Sequence, residues 1–113
     1  MESLLEYQRW AKSSVDYSLI PNQSMVVGFK NYVEHGIAPG SFMTALLSNN
    51  LTAALSGADS TNRELLTQWR VDENGDELLP AWAHWLTWDI PSPFCGSKEA
   101  VIEHCKKMAT KAA

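Results

Sequence analysis

The stretch that decides the fold is YVEHGIAPGSFMTALLSNNL, residues 32–51, in which one helix ends and another begins. Gly36 predicts the end of the first helix, because glycine adopts the left-handed conformation beyond a helix without strain. His35 suits the negative end of that helix dipole. Pro39 is preorganised for the first turn of the next helix. The apolar face of that next helix is Phe42, Ala45, Leu46 and Leu47.

Upstream of this stretch, apolar spacing predicts the helix that Gly36 ends. Its apolar residues fall on one helical face, and they are Met25, Val26, Phe29, Tyr32 and Val33. Asn22 or Ser24 can cap its first turn. Further upstream, an imperfect apolar stripe predicts a helix from Glu2 to about Val15. Pro21 separates the two helices, because a proline disfavours helical geometry at the residue before it.

Glycine and capping residues predict two helices immediately downstream of residue 51. The first is short, runs from Leu51 to Ser56 and is ended by Gly57. Asp59 or Ser60 caps the second, and Thr61 with Glu64 three residues later is the formal match to a capping box. The apolar side of this second helix is Leu65, Leu66 and Trp69.

The clearest interruption of the helical pattern is VDENGDE, residues 71–77. Asn74-Gly75 is a strong tight-turn dipeptide, and four of the seven residues are acidic, so we expect a solvated turn. A helix from Leu78 to Trp88 follows, with Pro80 fitting only its first turn. Ile90-Pro91-Ser92-Pro93 predicts a rigid extended loop, and Ser97 predicts the cap of the last helix.

These elements predict one all-α domain over residues 1–113. We expect a compact irregular bundle of six or seven short helices, with room for a small hairpin at residues 71–77. The residues expected to be buried are Phe29, Tyr32, Phe42, Leu46, Leu47, Leu55, Leu66, Leu86, Val101 and Ile102.

Composition limits the classes of partner. The chain has 13 acidic and 9 basic residues and a formal net charge of −4. Non-specific binding to a phosphate backbone needs a concentrated basic face, so this balance argues against direct nucleic-acid binding. No apolar run approaches the ~20 residues of a membrane span. The N-terminal residues have no apolar signal-peptide core, and Cys95 and Cys105 are too few for a disulfide framework, so we expect a reduced, cytoplasmic protein.

The sequence contains no recognisable catalytic or metal-binding constellation. Cys95 with His104 or Cys105 lacks further ligands for zinc, which favours a buried thiol and a surface histidine. The acidic turn fails as a calcium loop, because its glycine is misplaced and Ala83 stands where a bidentate glutamate is required. No nucleophile elbow or phosphate-binding loop occurs. We therefore predict a protein with no catalytic residues, no metal and no cofactor.

Four motifs in the middle and C-terminal parts of the chain carry a resemblance. The junction His35-Gly36-Ile37-Ala38-Pro39-Gly40-Ser41-Phe42 is followed by an L-x-N-N-L turn at residues 47–51 and by Ala58-Asp59-Ser60-Thr61-Asn62. The C-terminal motif is Pro91-Ser92-Pro93-Phe94-Cys95-Gly96-Ser97-Lys98-Glu99. Together they resemble a block in small helical proteins encoded by bacteriophages and prophages, and the resemblance covers about residues 32–102.

The chain departs from this family pattern in three places. Asn50 replaces the usual acidic residue of the turn, Phe94 and Cys95 stand in swapped order, and residues 71–77 look like an insertion. The resemblance implies a phage origin and a helical fold. It brings no activity and no catalytic residue with it.

The tryptophans are the most unusual feature of the sequence. Trp82, Trp85 and Trp88 are spaced by three residues and share one broad face of the predicted helix. Core packing explains them in part, but a chain of this size cannot easily bury five indoles. We therefore predict a partner-binding surface on which tryptophan acts as an anchor and the acidic turn forms a charged rim. Its residues are Asp72, Glu73, Asp76, Glu77, Trp82, Trp85 and Trp88.

Two functions of different classes remain open. The first is a non-enzymatic phage protein that binds a host or phage protein, such as an inhibitor of a host defence or nucleic-acid enzyme, because an acidic surface competes for sites that hold nucleic acid. The alternative is a small nucleic-acid-associated module, with Phe42–Leu47 and Leu51–Ser56 imitating a helix-turn-helix. The second of these helices has no side chain suited to reading base edges, which counts against the alternative.

Overall fold

The computed structural model describes residues 3–110, which form seven α-helices and one short hairpin. The α-helices are α1 (Leu4–Ala11), α2 (Val26–His35), α3 (Ser41–Leu47), α4 (Leu51–Gly57), α5 (Ser60–Thr67), α6 (Ala81–Trp88) and α7 (Lys98–Ala109). The strands β1 (Arg70–Val71) and β2 (Glu77–Leu78) pair in antiparallel orientation between α5 and α6. Single turns of 3-10 helix occur at Tyr17–Leu19, Gln23–Met25 and Ser92–Phe94. The predicted all-α bundle with a small hairpin is confirmed.

Local chemistry fixes several of the helix ends. Asp59 accepts a hydrogen bond from the Asn62 amide at 2.8 Å, and Ser97 accepts one from the Ala100 amide at 3.1 Å. Each bond satisfies a backbone donor that the first turn of a helix leaves free. Gly36 has φ of +67° and ends α2 in the left-handed conformation. These three predicted caps are confirmed.

Several predicted boundaries are wrong. Thr61 lies inside α5, so the Thr61–Glu64 capping box does not form. Pro39 lies before α3, whose N-cap is Gly40, because the chain is still extended there. α6 begins at Ala81, since Leu78 pairs in β2 and Pro80 occupies the cap position.

Two further segments also differ from their predictions. The first helix ends at Ala11 instead of Val15, and Glu2, at its predicted start, lies outside the described residues. The loop predicted to be extended at residues 90–93 contains a turn of 3-10 helix from Ser92 to Phe94.

The core confirms most of the predicted buried residues. Seven are buried: Phe29, Tyr32, Phe42, Leu46, Leu47, Leu66 and Val101. Leu55 and Leu86 are half-buried and pack against this core. Ile102 is 44% exposed, so its predicted burial is wrong. The buried positions of α7 are Val101 and His104, and a step of one residue turns Ile102 by about 100° away from that face.

Two clusters of rings hold the helices together. One joins α2, α3 and α6 through Phe29, Phe42, Trp82 and Trp85, with ring centroids 4.9–6.1 Å apart. The other joins α1, α2 and α7 to the turn before α7, and its rings are Tyr7, Trp10, Tyr32, Phe94 and His104. Tilted and edge-to-face arrangements at these distances stabilise aromatic pairs beyond their buried area.

Candidate protein-binding surface

The structure corrects the predicted tryptophan surface at two of its three positions. Trp82 is 0% exposed and Trp85 is 1% exposed, so neither indole is presented to a partner. The indole N–H of Trp82 donates to the side-chain oxygen of Asn62 at 3.2 Å. Asn62 is itself buried and also accepts a bond from Asn22 at 3.1 Å. These contacts make the inner face of α6 part of the core.

Trp88 is exposed, and it lies at the end of α6 opposite the hairpin. Its side chain is 71% exposed at the last residue of α6. The hairpin joins the opposite end of this helix, and seven residues at 1.5 Å each separate Ala81 from Trp88 by about 10 Å along the axis. Burial removes Trp82 and Trp85 from the predicted surface, and Trp88 stays exposed at the other end of the same helix.

The acidic turn is organised by one of its own carboxylates. Asp72 accepts hydrogen bonds from the amides of Asn74 and Asp76 at 2.8 and 2.9 Å. Gly75, with φ of +84°, donates its amide to the Asp72 carbonyl at 3.1 Å. Asp72 is half-buried, and its carboxylate shapes the turn.

The other three predicted acidic residues are exposed and make no ion pair within residues 3–110. They are Glu73, Asp76 and Glu77. Arg70 is the cation of the hairpin, and its guanidinium donates twice to the Leu79 carbonyl, at 3.2 and 3.1 Å, instead of pairing with these carboxylates. Residues 70–79 contain four acids and one arginine, so they carry a net charge of −3 within a chain of net charge −4. Most of the net charge is concentrated in this segment.

Two apolar side chains on the same hairpin were missed by the sequence analysis. Trp69 is 62% exposed and Val71 is 65% exposed. Trp69 was assigned to the apolar side of the preceding helix, but that helix ends at Thr67 and Gln68 is extended. Alternation along extended chain places Trp69 and Val71 on one face. The signal available in the sequence was this spacing of two residues directly before the Asn-Gly turn.

One face of the hairpin thus combines apolar and acidic groups. Val71 stands opposite Glu77 in the register of β1 and β2, and directly opposed side chains of an antiparallel pair share a face. We use the name hairpin surface for the exposed residues of this segment, which are Trp69, Val71, Glu73, Asp76 and Glu77.

His104 is buried, and both of its ring nitrogens are engaged in hydrogen bonds. His104 is 1% exposed, and its Nε2 lies 2.9 and 3.0 Å from the Tyr32 and Val33 carbonyl oxygens. Because carbonyl oxygens only accept, Nε2 carries the hydrogen and Nδ1 accepts from the Tyr7 hydroxyl at 2.7 Å. The predicted surface histidine is therefore wrong for His104.

Burial also sets the protonation of these groups. It lowers the pKa of His104 and favours the neutral ring, against the smaller opposing effect of the two carbonyl bonds. It raises the pKa of the Cys95 and Cys105 thiols, which disfavours the nucleophilic thiolate. His84 is partly exposed, and its Nδ1 lies 3.6 Å from a carboxylate oxygen of Asp89.

A concave feature lies between α3, α4, α5 and α6. It is an open groove of about 290 Å³. Its lining is mostly aliphatic, with Leu46, Leu66 and Leu86 contributed by three of the four helices. Its polar lining residues are Asn49, Asn50 and Thr87. The side chains of Asn50 and Thr87 already bond to backbone atoms of their own helices, and no titratable residue lines the groove.

Within residues 3–110, no group of three or more His, Cys, Asp or Glu side chains is arranged to hold a metal ion. No helix in the same part of the chain combines the length and the apolar character needed to cross a membrane.

Comparison of the chain with family models, with curated proteins and with solved structures found no match.

Proposed function

We propose that this chain is a non-enzymatic accessory protein of a bacteriophage or prophage that binds a host or phage protein through the hairpin surface. The observation that carries the proposal is the exposure of Trp69 and Val71, at 62% and 65%, beside carboxylates that have no ion-pair partner among residues 3–110. Exposed aromatic side chains with a charged rim are typical of the anchors of protein interfaces.

The chemistry of the remaining polar groups supports binding over catalysis. Both ring nitrogens of His104 are engaged in buried hydrogen bonds, so this ring is not available to a substrate. Burial holds the two thiols in their protonated form. A general base or nucleophile must reach its substrate in the correct protonation state, and neither group meets that condition.

An inhibitory action on a host defence or nucleic-acid enzyme is part of the proposal. The net charge of −3 on residues 70–79 would compete for a cationic site on such an enzyme. The same charge disfavours direct binding to nucleic acid. The place of action would be the cytoplasm of the bacterial host, which the phage resemblance supports.

The experiment is quantitative capture of a cellular protein on the purified, tagged chain. The variants are Trp69→Ala, Trp88→Ala and Ile102→Ala, each checked for its folded state by dichroism and thermal unfolding. Ile102 is the matched control, since it is exposed and lies on α7, outside the hairpin. We expect Trp69→Ala to lower capture at least about tenfold, as for an interface anchor, and Ile102→Ala to leave it unchanged.

Two results would contradict the proposal. Loss of capture by Trp88→Ala alone would move the contact to the C-terminal end of α6. Equal capture by all folded variants would remove the hairpin surface from the interaction.

A further inference from the structure

β1 has an outer edge that β2 does not cover. The Asp72 amide donates to the Asp76 carbonyl at 2.9 Å, so residues 72 and 76 form a hydrogen-bonded pair. Hydrogen-bonded and non-bonded pairs alternate along an antiparallel ladder, so Val71 and Glu77 form a non-bonded pair. The N–H and C=O of Val71 are therefore directed away from β2. Such an edge is a template for pairing with another extended chain.

The side chains around this edge define the chemistry of its partner. Trp69 and Val71 share one face and are both exposed, and Glu77 stands opposite Val71 on that face. The Arg70 guanidinium is bonded to the Leu79 carbonyl instead of a carboxylate. A segment pairing with β1 would therefore meet apolar contacts and uncompensated negative charge together.

Charge also distinguishes between two strands that could pair here, one from a second copy of this chain and one from a basic segment of another protein. A second copy of this chain would bring another hairpin of net charge −3 against the first, and like charges opposed across strands are destabilising. An extended segment with lysine or arginine beside apolar residues complements both the carboxylates and the apolar pair.

We propose that the outer edge of β1 receives an extended, basic segment of the partner protein as an additional β-strand. This inference rests on the proposed function and names the kind of partner that the hairpin surface binds. The backbone of Val71 supplies the hydrogen bonds, Trp69 and Val71 supply the apolar contact, and the exposed carboxylates select cationic side chains. Main-chain pairing of this kind provides affinity while alternate side chains provide specificity.

Three synthetic peptides of about eight residues, the length of an ordinary strand, test the inference. The first alternates arginine and valine, and the second alternates glutamate and valine. The third repeats the first with an N-methyl group on every second residue and is made in two versions, one for each register. Methylation removes backbone donors and leaves the charge of the peptide unchanged. Binding is measured by titration of the ¹⁵N-labelled protein and by hydrogen exchange of the Val71 amide.

We expect the arginine peptide to shift amide resonances of residues 69–79 and to protect the Val71 amide. Binding should weaken at least about tenfold between ~50 and ~500 mM salt, because the exposed carboxylates are screened. The combined variant Glu73→Gln, Asp76→Asn and Glu77→Gln should weaken it by a similar factor. The N-methylated peptide should bind at least about tenfold more weakly than its parent.

Each opposite outcome overturns the inference. Equal binding of the glutamate peptide would remove the charge argument, and equal binding of the N-methylated peptide would remove strand pairing. Shifts centred on the groove between α3 and α6, or dimers of the free protein that protect Val71, would assign another site or another occupant. If the arginine peptide does not bind while Trp69→Ala still abolishes capture of the cellular protein, the proposed function stands without strand addition. If the peptide binds at the edge but Trp69→Ala leaves cellular capture intact, the proposed function is wrong.

Discussion

Removal of the Asn62 side chain tests whether Trp82 belongs to the core. The Asn62 oxygen accepts from the Trp82 indole and from Asn22, at 3.2 and 3.1 Å, and Asn62 is only 6% exposed. Asn62→Ala loses two hydrogen bonds of about 1 kcal/mol each and leaves the indole N–H buried without an acceptor, which adds about 1–3 kcal/mol. Partial relaxation brings the expected loss in free energy of unfolding to about 2–4 kcal/mol.

That loss is large for a domain of this size. With an unfolding entropy of about 2.1 cal/mol/K per residue, 1 kcal/mol corresponds to about 4 °C, so Tm should fall by roughly 8–16 °C. Urea unfolding followed by tryptophan fluorescence gives the free energy directly. The matched control is Thr61→Ala, an exposed position on the same helix, which should change the free energy by less than about 0.5 kcal/mol. An Asn62→Ala variant as stable as this control would refute the buried bond to Trp82.

Three further predictions concern the packing of the other helices. Leu46→Ala, at a position 4% exposed, should cost about 2–5 kcal/mol in urea unfolding, and an unchanged midpoint would show that the face of α3 is misassigned. Gly36→Ala should cost about 2–4 kcal/mol in the same assay, because φ is +67° and the new Cβ would lie 2.7 Å from Met108 Cβ. Gly40→Ala meets no atom within 4 Å, so its midpoint should stay near that of the parent; equal losses for both glycine variants would contradict the packing at Gly36. Burial lowers the pKa of His104 in the folded state, so as pH falls the unfolded chain binds a proton at this ring before the folded protein does. The stability that the neutral, buried ring provides is therefore lost as pH falls from about 6.5 through the folded pKa. Unfolding at stepped pH should show this loss for the parent and for His84→Gln, whereas equal pH dependence of the parent and His104→Gln would contradict it.

The sequence predicted the features that depend on local chemistry. The left-handed conformation of Gly36 and the caps at Asp59 and Ser97 depend on residues within a few positions of one another. The Asn74-Gly75 turn likewise forms where the dipeptide predicts it, and Asp72 adds two hydrogen bonds to it. A short-range signal suffices in these places because the interaction itself is short-range.

The candidate surface could not be predicted in the same way. Periodicity shows which residues of a helix share a face, but it does not show whether another helix covers that face. Trp82 and Trp85 are buried because Phe29, which is 53 and 56 positions earlier in the chain, packs against both of them. Conversely, Trp69 is exposed because α5 ends at Thr67 without a capping signal that the sequence displays.

His104 illustrates the limit for a polar residue. Glu103, Lys106 and Lys107 lie close to it in the sequence, and this charged surrounding favours a position at the surface. Its burial depends on Tyr7 and on the carbonyl oxygens of Tyr32 and Val33, which are 71 or more positions away. A buried polar group is stable only when such partners are present, and nothing near His104 in the sequence identifies them.

Photo-crosslinking from the hairpin in bacterial cells shows whether the hairpin surface contacts a protein partner. A benzophenone-bearing phenylalanine placed at Val71 is compared with the same residue at Ile102, because both positions are exposed and only the first lies on the hairpin surface. Binding of a partner through the hairpin surface predicts a discrete adduct to a protein from position 71, lost with the combined variant Glu73→Gln, Asp76→Asn and Glu77→Gln, and no such adduct from position 102. The same adduct from both positions, or an adduct from position 102 alone, would contradict it.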